Sequence, residues 1–335
     1  MTRRFINQFG HQEVVNEVFV ANGKQLRPNR TGNLYLQVEL SDSTGSIGAR
    51  MWNANESLYK SFENGDYIRV EGATQIFQGA VQLILKRIEK VDPDQVNPED
   101  FTPKPAVAVD KLLARLGEML RGIGDPGLVN LAECFLLDEA FTAKLMMAPA
   151  GTKNHHAYHG GLLAHIVGLM EVVLRVAPCY PQINGDLLLM GAFLHDLGKI
   201  NEMTYQHGLA YSDEGQLIGH LVMAIGMLDA KVAEAEKLSG EPIAEETILR
   251  LKHMIISHHG EYQFGSPKLP MTLEAIALYC LDNLDAKINS FHQLIAEDPN
   301  VDSPWTVYQA NIERKLFKGN PKQQSPKGDC SDSGI

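Results

Sequence analysis

At 335 residues the chain is long enough for two domains, at roughly 100–200 residues each. Its hydrophobic content of 44% is ordinary for globular protein, and no uninterrupted apolar run reaches the roughly 18–20 residues that cross a bilayer, so no membrane role is expected. The net charge of −11 argues against a broad electrostatic grip on nucleic acid. That charge is uneven: residues 1–90 hold 11 Lys+Arg against 9 Asp+Glu, and the remainder 19 against 32. A weakly basic first part is compatible with nucleic acid, whereas a polyanion bound by the acidic remainder would need local cations, bound metals included.

Met1-Thr2-Arg3-Arg4-Phe5 leads into polar residues rather than a signal-peptide core. Cys134, Cys179, Cys280 and Cys330 form no CxxC pair and read as reduced, mostly core thiols. A cytoplasmic location is expected from both features.

Over the first ninety residues the apolar period is two. Val14, Val15, Val18 and Val20 open a strand, and residues 22–32, rich in turn formers and cations, read as a loop. Leu34 to Leu40 alternates aliphatic with Tyr, Gln and Glu, the pattern of a half-buried strand. After a turn at 41–45, Ile47, Ala49 and Met51 share one face while Arg50 and Trp52 share the other. A short helix near 55–62 precedes a strand at 67–71, and a last pair of strands turns around Gln78-Gly79. Several short strands and one small helix suggest a small barrel resembling the OB-fold, which binds single strands on its strand 2–3 face. Tyr35, Arg50 and Trp52 are placed there to stack on bases and meet phosphates.

Prolines and acids crowd residues 91–106, the composition of a linker. From 107 the period is helical. Leu112, Leu113, Leu116, Met119 and Leu120 form a stripe ending at Gly122 and Gly124. Asp125-Pro126 reads as a cap and first turn of the next helix. Leu162, His165, Leu169 and Val173 place His165 on an inward helix face. A continuously apolar run, Leu187 to Leu194, delivers His195 and Asp196 into the interior. His220 begins another helical stretch, Ile248 to Ile256 leads into His258-His259, and Thr272 to Leu284 is a helix containing Asp282. The expected organisation is a barrel over 1–90, a linker over 91–106, an all-α helical bundle over 107–317 and a disordered tail over 318–335.

A buried His-Asp pair is costly without a partner, and a divalent metal is the most economical one. Nitrogen and carboxylate donors suit Mn, Fe, Zn, Ni or Co. The order His165, His195-Asp196, His220, His258-His259, Asp282 resembles the HD phosphohydrolase superfamily. That resemblance implies one metal held by His165, His195, Asp196 and Asp282, with Asp196 bridging to a second completed by His220 and by His258, His259 or both. Lys199 lies one helical turn after His195 on the same face. As part of His-Asp-x-Gly-Lys it is expected to meet a substrate phosphate oxygen. Two metals roughly 3.5–4 Å apart would activate a hydroxide for in-line attack on phosphorus, with Asp196 and Lys199 as the catalytic pair.

Three further features narrow the reading: the OB-like domain in front, the stretch His155 to His165, and the stretch Ser257 to Lys287. Together they resemble the YhaM-type 3′→5′ exoribonucleases over roughly residues 12–317. The resemblance implies Mn²⁺-dependent trimming of single-stranded RNA, and often DNA, to nucleoside 5′-monophosphates. His155 and His156 are candidate substrate contacts. Such proteins commonly carry Glu before the first ligand histidine, where Ala164 stands here. With a balance of only +2 the barrel would bind weakly alone, so a homo-oligomer would add avidity. One rival is an HD phosphohydrolase acting on a small or cyclic nucleotide with a regulatory barrel. Its cyclic-di-GMP form lacks support, because His258-His259 is followed by Gly260-Glu261-Tyr262 rather than by Gly-Tyr-Pro. A second rival, an RNA-binding module with structural metals, fits poorly with a phosphate-facing Lys199.

Overall fold

The computed structural model describes residues 3–29, 31–77, 80–101, 109–151, 159–204, 210–296, 298, 300 and 303–319. The backbone clusters into two compact units, Met1–Phe101 with Ser290–Ile335, and Thr102–Asn289. The second unit thus ends earlier than the 317 read from the sequence.

In the first unit, β1 (Val14–Pro28), β2 (Leu34–Asp42), β3 (Gly45–Trp52), β4 (Tyr67–Phe77) and β5 (Ala80–Lys90) close a barrel in the order β1-β2-β3-β5-β4. The pairings are antiparallel except β3 with β5. Alternation sets the faces: Leu36, Val38, Leu40, Ile47 and Ala49 are buried with Phe19, Ile68 and Leu83, while Tyr35, Gln37 and Arg50 face outward. Between β3 and β4, α1 (Glu56–Tyr59) is capped by Asn55, whose side chain accepts from the Leu58 amide.

Three expectations change here. The loop expected at 22–32 is strand as far as Pro28, with an irregularity between Asn22 and Gln25 that keeps both ends paired to β2. Lys24, read as a loop cation, is buried there and donates to the carbonyls of Tyr59 (2.9 Å) and Phe62. The start of the expected linker is ordered. Asp92 and Asn97 cap two short 3-10 turns, and Phe101 packs on Tyr67 at 4.7 Å between ring centres. Proline and acid density marks capped turns as readily as a linker. Gln78 and Gly79, and the tail beyond 319, lie outside the described residues.

The second unit is built from α2 (Val109–Arg121), α3 (Pro126–Leu136), α4 (Glu139–Met147), α5 (Gly161–Val176), α6 (Gly185–Leu194), α7 (Lys199–Glu202), α8 (Asp213–Ile218), α9 (His220–Ser239), α10 (Glu245–Ser257) and α11 (Leu273–Ala296) as far as Asn289. A two-residue hairpin, β6 (Met203–Thr204) with β7 (Ala210–Tyr211), interrupts it. Asp125 caps α3 as expected, accepting from the Leu128 amide at 3.0 Å. The core joins Leu116, Leu120, Phe135, Leu162, Ile166, Leu169 and Phe193, with Phe135 edge-on to Phe193 at 5.3 Å.

Residues Gly161–Cys179, α5 and the turn after it, are long and apolar enough to cross a bilayer by length and composition alone, although His165, Glu171 and Arg175 interrupt the run. The apolar content is explained by packing: Leu162, Leu163, Ile166, Leu169, Met170 and Val173 fill this core. The cysteine reading also changes. Cys134 is buried, but Cys179 and Cys280 are exposed, because Cys280 lies on a face of α11 turned away from the core.

Phe19 is fully buried at the centre of the barrel core. Phe19→Ala is expected to cost about 3–5 kcal/mol locally. In hydrogen exchange of the full chain, amides of β1, β2 and β4 should lose protection while those of α5 and α6 keep theirs. Equal loss in both units would contradict this partition of the cores.

Candidate metal centre

Five helices bring polar side chains to one point. The α6 helix is buried on every side from Leu187 to Leu194, so its C-terminal end delivers His195 and Asp196, 0% and 3% exposed, into the interior. The turn that follows is tight. A Cβ on Gly198 would stand 2.0 Å from the His220 carbonyl oxygen, so only glycine lets this turn touch the start of α9 and bring His220 beside Asp196. Glu274 fixes α11: its buried carboxylate accepts the Asn184 amide at 2.9 Å and the Arg250 guanidinium at 2.5 Å. Two turns further along α11, at about 1.5 Å per residue, stands Asp282.

The donors form two groups around Asp196. On one side His165 Nε2 lies 3.3 Å from Asp282 Oδ1 and 3.3 Å from His195 Nε2, and His195 Nε2 lies 3.4 Å from Asp196 Oδ2. On the other side, Asp196 Oδ1 is 3.6 Å from His220 Nε2 and 3.5 Å from His258 Nε2. His220, His258 and His259 each offer a donor atom within 4.8 Å of the others, as do His165, His195 and Asp282. The two oxygens of one carboxylate therefore face two sets of imidazoles.

Four of the five rings are held from behind. His165 Nδ1 meets Asp285 Oδ2 at 3.0 Å, His195 Nδ1 meets the Ala192 carbonyl at 2.8 Å, His220 Nδ1 meets Glu202 Oε1 at 3.0 Å, and His258 Nδ1 meets the Ile255 carbonyl at 2.8 Å. A partner on the outer nitrogen fixes the tautomer and aims the inner lone pair, as in metal-ligating histidines. Asp196 Oδ1, His220 Nε2 and His259 Nδ1 are buried with no hydrogen-bond partner. Buried polar atoms are normally satisfied, and a divalent cation satisfies all three at once. The residues fit such an ion.

The electrostatics agree. Burial alone would lower the His165 pKa, but hydrogen bonds to Asp282 and Asp285 outweigh it and raise it to about 9. Burial raises and the surrounding cations lower the Asp196 carboxyl, with Lys199 foremost; the cations win and hold it well below the usual range. For Asp282 the His165 hydrogen bond likewise outweighs burial, and its pKa is lowered. His259 is pushed down to about 4, by burial first and then by His258 and His220, so it is neutral and its lone pair is available near pH 7.

Every ligand candidate read from the sequence thus converges: His165, His195, Asp196, His220, His258, His259 and Asp282. Lys199, expected to face a phosphate, pairs with Asp196 Oδ2 at 2.6 Å. Around Asp282, Leu281 packs on the core while Cys280 and Leu284 are exposed; the compensation for its charge comes from the imidazoles across the cluster. His155 and His156 lie outside the described residues. Asp285, Glu202 and Glu274 were not singled out as anchors. Asp285 was within reach of the sequence, three residues after Asp282 on the same helix face.

On the barrel, Tyr35 and Trp52 are cross-strand partners with ring centres 5.3 Å apart, and Trp52 is 45% exposed. The Arg50 guanidinium lies 5.2 Å from the Phe77 ring centre, and Phe77, which the sequence reading passed over, is exposed. The three expected residues and Phe77 make a ring-and-cation face over β2, β3 and the end of β4. A cavity of 340 Å³ in the helical unit, between Gly122, Val173 and Tyr180, carries no comparable chemistry. Its Asp186 carboxylate is engaged by the amides of Gly124 and Asp125.

Residues 18–91 match the OB-fold nucleic acid binding domain family, and residues 162–287 match the HD domain family. The chain is similar to the 3′-5′ exoribonuclease YhaM of Bacillus subtilis (strain 168), 33% identical over 259 residues that span 77% of this chain and 80% of that one. The YhaM proteins of Geobacillus sp. (strain WCH70) and Oceanobacillus iheyensis are also 33% identical over 77% of this chain, covering 78% and 79% of theirs.

Glu202→Gln and Asp285→Ala are each expected to lower Mn²⁺ affinity about 10–100-fold, read by titration calorimetry. Because His165 holds a proton up to about pH 9, a cation that takes its lone pair must expel that proton. Affinity in the unaltered protein should therefore rise as pH is raised toward 9, with proton uptake by the buffer. Unchanged affinity in both variants, or a flat pH dependence, would contradict the site.

Proposed function

We propose, starting from the fact that the chain belongs to the YhaM 3′-5′ exoribonuclease family, that it hydrolyses single-stranded RNA from the 3′ end to nucleoside 5′-monophosphates, with DNA as a second substrate. The observation that carries the reading is Asp196, whose two carboxylate oxygens each face a separate set of imidazoles. Two divalent ions, Mn²⁺ by preference, would be held by His165, His195, Asp196 and Asp282 on one side and by Asp196, His220, His258 and His259 on the other. Such ions supply Lewis acidity at phosphoryl oxygens and an acidified water.

The chemistry asked of the chain is a displacement at phosphorus. Water's oxygen bonds to the terminal phosphorus, the bond from phosphorus to the 3′-oxygen of the preceding nucleotide breaks, and that oxygen leaves with a proton. Charge that builds on the phosphoryl oxygens needs a cation aimed at them. Lys199 would fill that role: its ammonium stands 2.6 Å from Asp196 Oδ2, and a cation held at Asp196 would leave it available to a phosphoryl oxygen. The outer face of the barrel holds the strand upstream, with Trp52, Tyr35 and Phe77 stacking on bases and Arg50 meeting phosphate. Stacking is tolerant of sequence, which suits an enzyme that shortens whatever end it meets. A homo-oligomer would multiply the grip of a weakly basic barrel. A cytoplasmic setting suits the exposed free thiols Cys179 and Cys280.

The direct test is a single-stranded RNA labelled at its 5′ end, incubated with protein and Mn²⁺. A ladder receding from the 3′ end with mononucleotide product is expected, and none with Asp196→Asn. Intact RNA, or internal cuts, would sink the proposal. Lys199→Met should separate the two roles of that lysine. Mn²⁺ should bind more tightly, because no ammonium competes for Asp196, while kcat falls by about 100-fold. Weaker metal binding would place Lys199 among the supports of the site instead.

A further inference from the structure

Hydrolysis of a terminal phosphodiester at Asp196 puts constraints on the nucleoside attached to it. That nucleoside is joined through its 5′-oxygen to the reacting phosphorus, so it must lie directly beside the ligand cluster. A cavity of 190 Å³ opens there. It is lined by the ligand candidates His258, His259 and Asp282, and beyond them by Phe264, Tyr279, Asn283 and Ala286.

The walls of this cavity are held in place before any ligand arrives. The chain leaves α10 through His258, His259 and Gly260, where φ is +75° and a Cβ would stand 2.1 Å from the Tyr279 ring. The turn therefore rests directly on that ring. The Tyr279 hydroxyl donates to Glu261 Oε1 at 3.2 Å. The loop closes with the Gly265 amide on the Tyr262 carbonyl at 3.0 Å, and the Ser266 hydroxyl, buried, donates to the Lys268 carbonyl at 2.6 Å. This bracing carries Phe264, a residue 60% exposed, to the cavity. Exposing a large ring on a braced turn is unfavourable by itself, and a stacked base would cover it. Opposite, Asn283 follows Asp282 on α11 and offers both a donor and an acceptor, while Ala286 leaves room.

We propose that the cavity between Phe264, Tyr279, Asn283 and Ala286 is the subsite for the 3′-terminal nucleoside, with Phe264 stacking on the base and Asn283 hydrogen-bonding its edge or its ribose. The subsite rests on the exonuclease reading but can be tested apart from it. It recognises the released nucleoside 5′-monophosphate as well as the strand end, so product should compete with substrate.

The test compares binding of adenosine 5′-monophosphate and ribose 5-phosphate to the full chain with Mn²⁺, by titration calorimetry. The two share the phosphate and differ by the base. Stacking worth about 1–3 kcal/mol predicts that the nucleotide binds about 5–150-fold more tightly. That ratio should fall toward one in Phe264→Ala, and in Ala286→Leu, which fills the space, while Mn²⁺ affinity stays unchanged in both. A ratio of one in the unaltered protein, or a ratio that neither variant moves, would overturn the subsite. The RNA ladder decides the other question. A shortened strand with a ratio of one removes the subsite and leaves the exonuclease, whereas intact RNA with the expected ratio does the reverse.

Discussion

One buried carboxylate governs the helical unit. Asp196 is almost wholly withdrawn from water, and an isolated carboxylate in that position would cost several kcal/mol. The chain meets part of the cost with four neighbouring side chains. Lys199 pairs with it from the next turn, and His195 from the same turn and His220 and His258 from separate helices approach within 3.4–3.6 Å. The compensation is incomplete, because Asp196 Oδ1 and His220 Nε2 keep no hydrogen bond. A fold that buries charge and leaves it partly unsatisfied is poised for a cation.

That constraint explains features that look unrelated. The α6 helix is apolar on all sides because it must carry His195 and Asp196 through the core, and Gly198 is bare because α9 crosses there. The acids behind the ligands, Asp285 and Glu202, aim imidazoles whose lone pairs would otherwise rotate away. Glu274 fastens the helix that carries Asp282. The acidic balance of this part of the chain is thus compatible with a phosphate substrate: part of the negative charge is spent inward, on the site. The barrel answers the complementary need, offering rings and one arginine on an outer face without a strongly basic field.

Much of this could be read before folding, for a physical reason. A histidine or aspartate inside an apolar helix stands out because its neighbours define its surroundings, so His165, His195, Asp196 and Asp282 were legible. Alternation placed Tyr35, Arg50 and Trp52 on one face of the barrel for the same reason. Two of the supports were not legible. Glu202 and Glu274 sit where helices ordinarily carry solvated acids, and only the tertiary arrangement turns them inward, whereas Asp285 stands one turn after Asp282 on the same helix face. Phe77 escaped because its partner Arg50 lies on a distant strand. The path of β1 through Gly23 and Lys24 was hidden by turn-forming residues, since pairing with β2 overrides local preference. Asp282 sits differently from what its sequence neighbours alone suggest: Leu281 packs on the core, Cys280 and Leu284 point to solvent, and its charge is met across the cluster.

The central claim is that Asp196 stands between two metal positions rather than beside one. Anomalous diffraction from crystals of the full chain grown with Mn²⁺ tests it most directly. The account predicts two peaks, one against His165, His195 and Asp282 and the other against His220, His258 and His259, roughly 3.5–4 Å apart with Asp196 touching both. A single peak with Asp196 bound through one oxygen, or Lys199 still paired to Asp196 in the loaded protein, would contradict it.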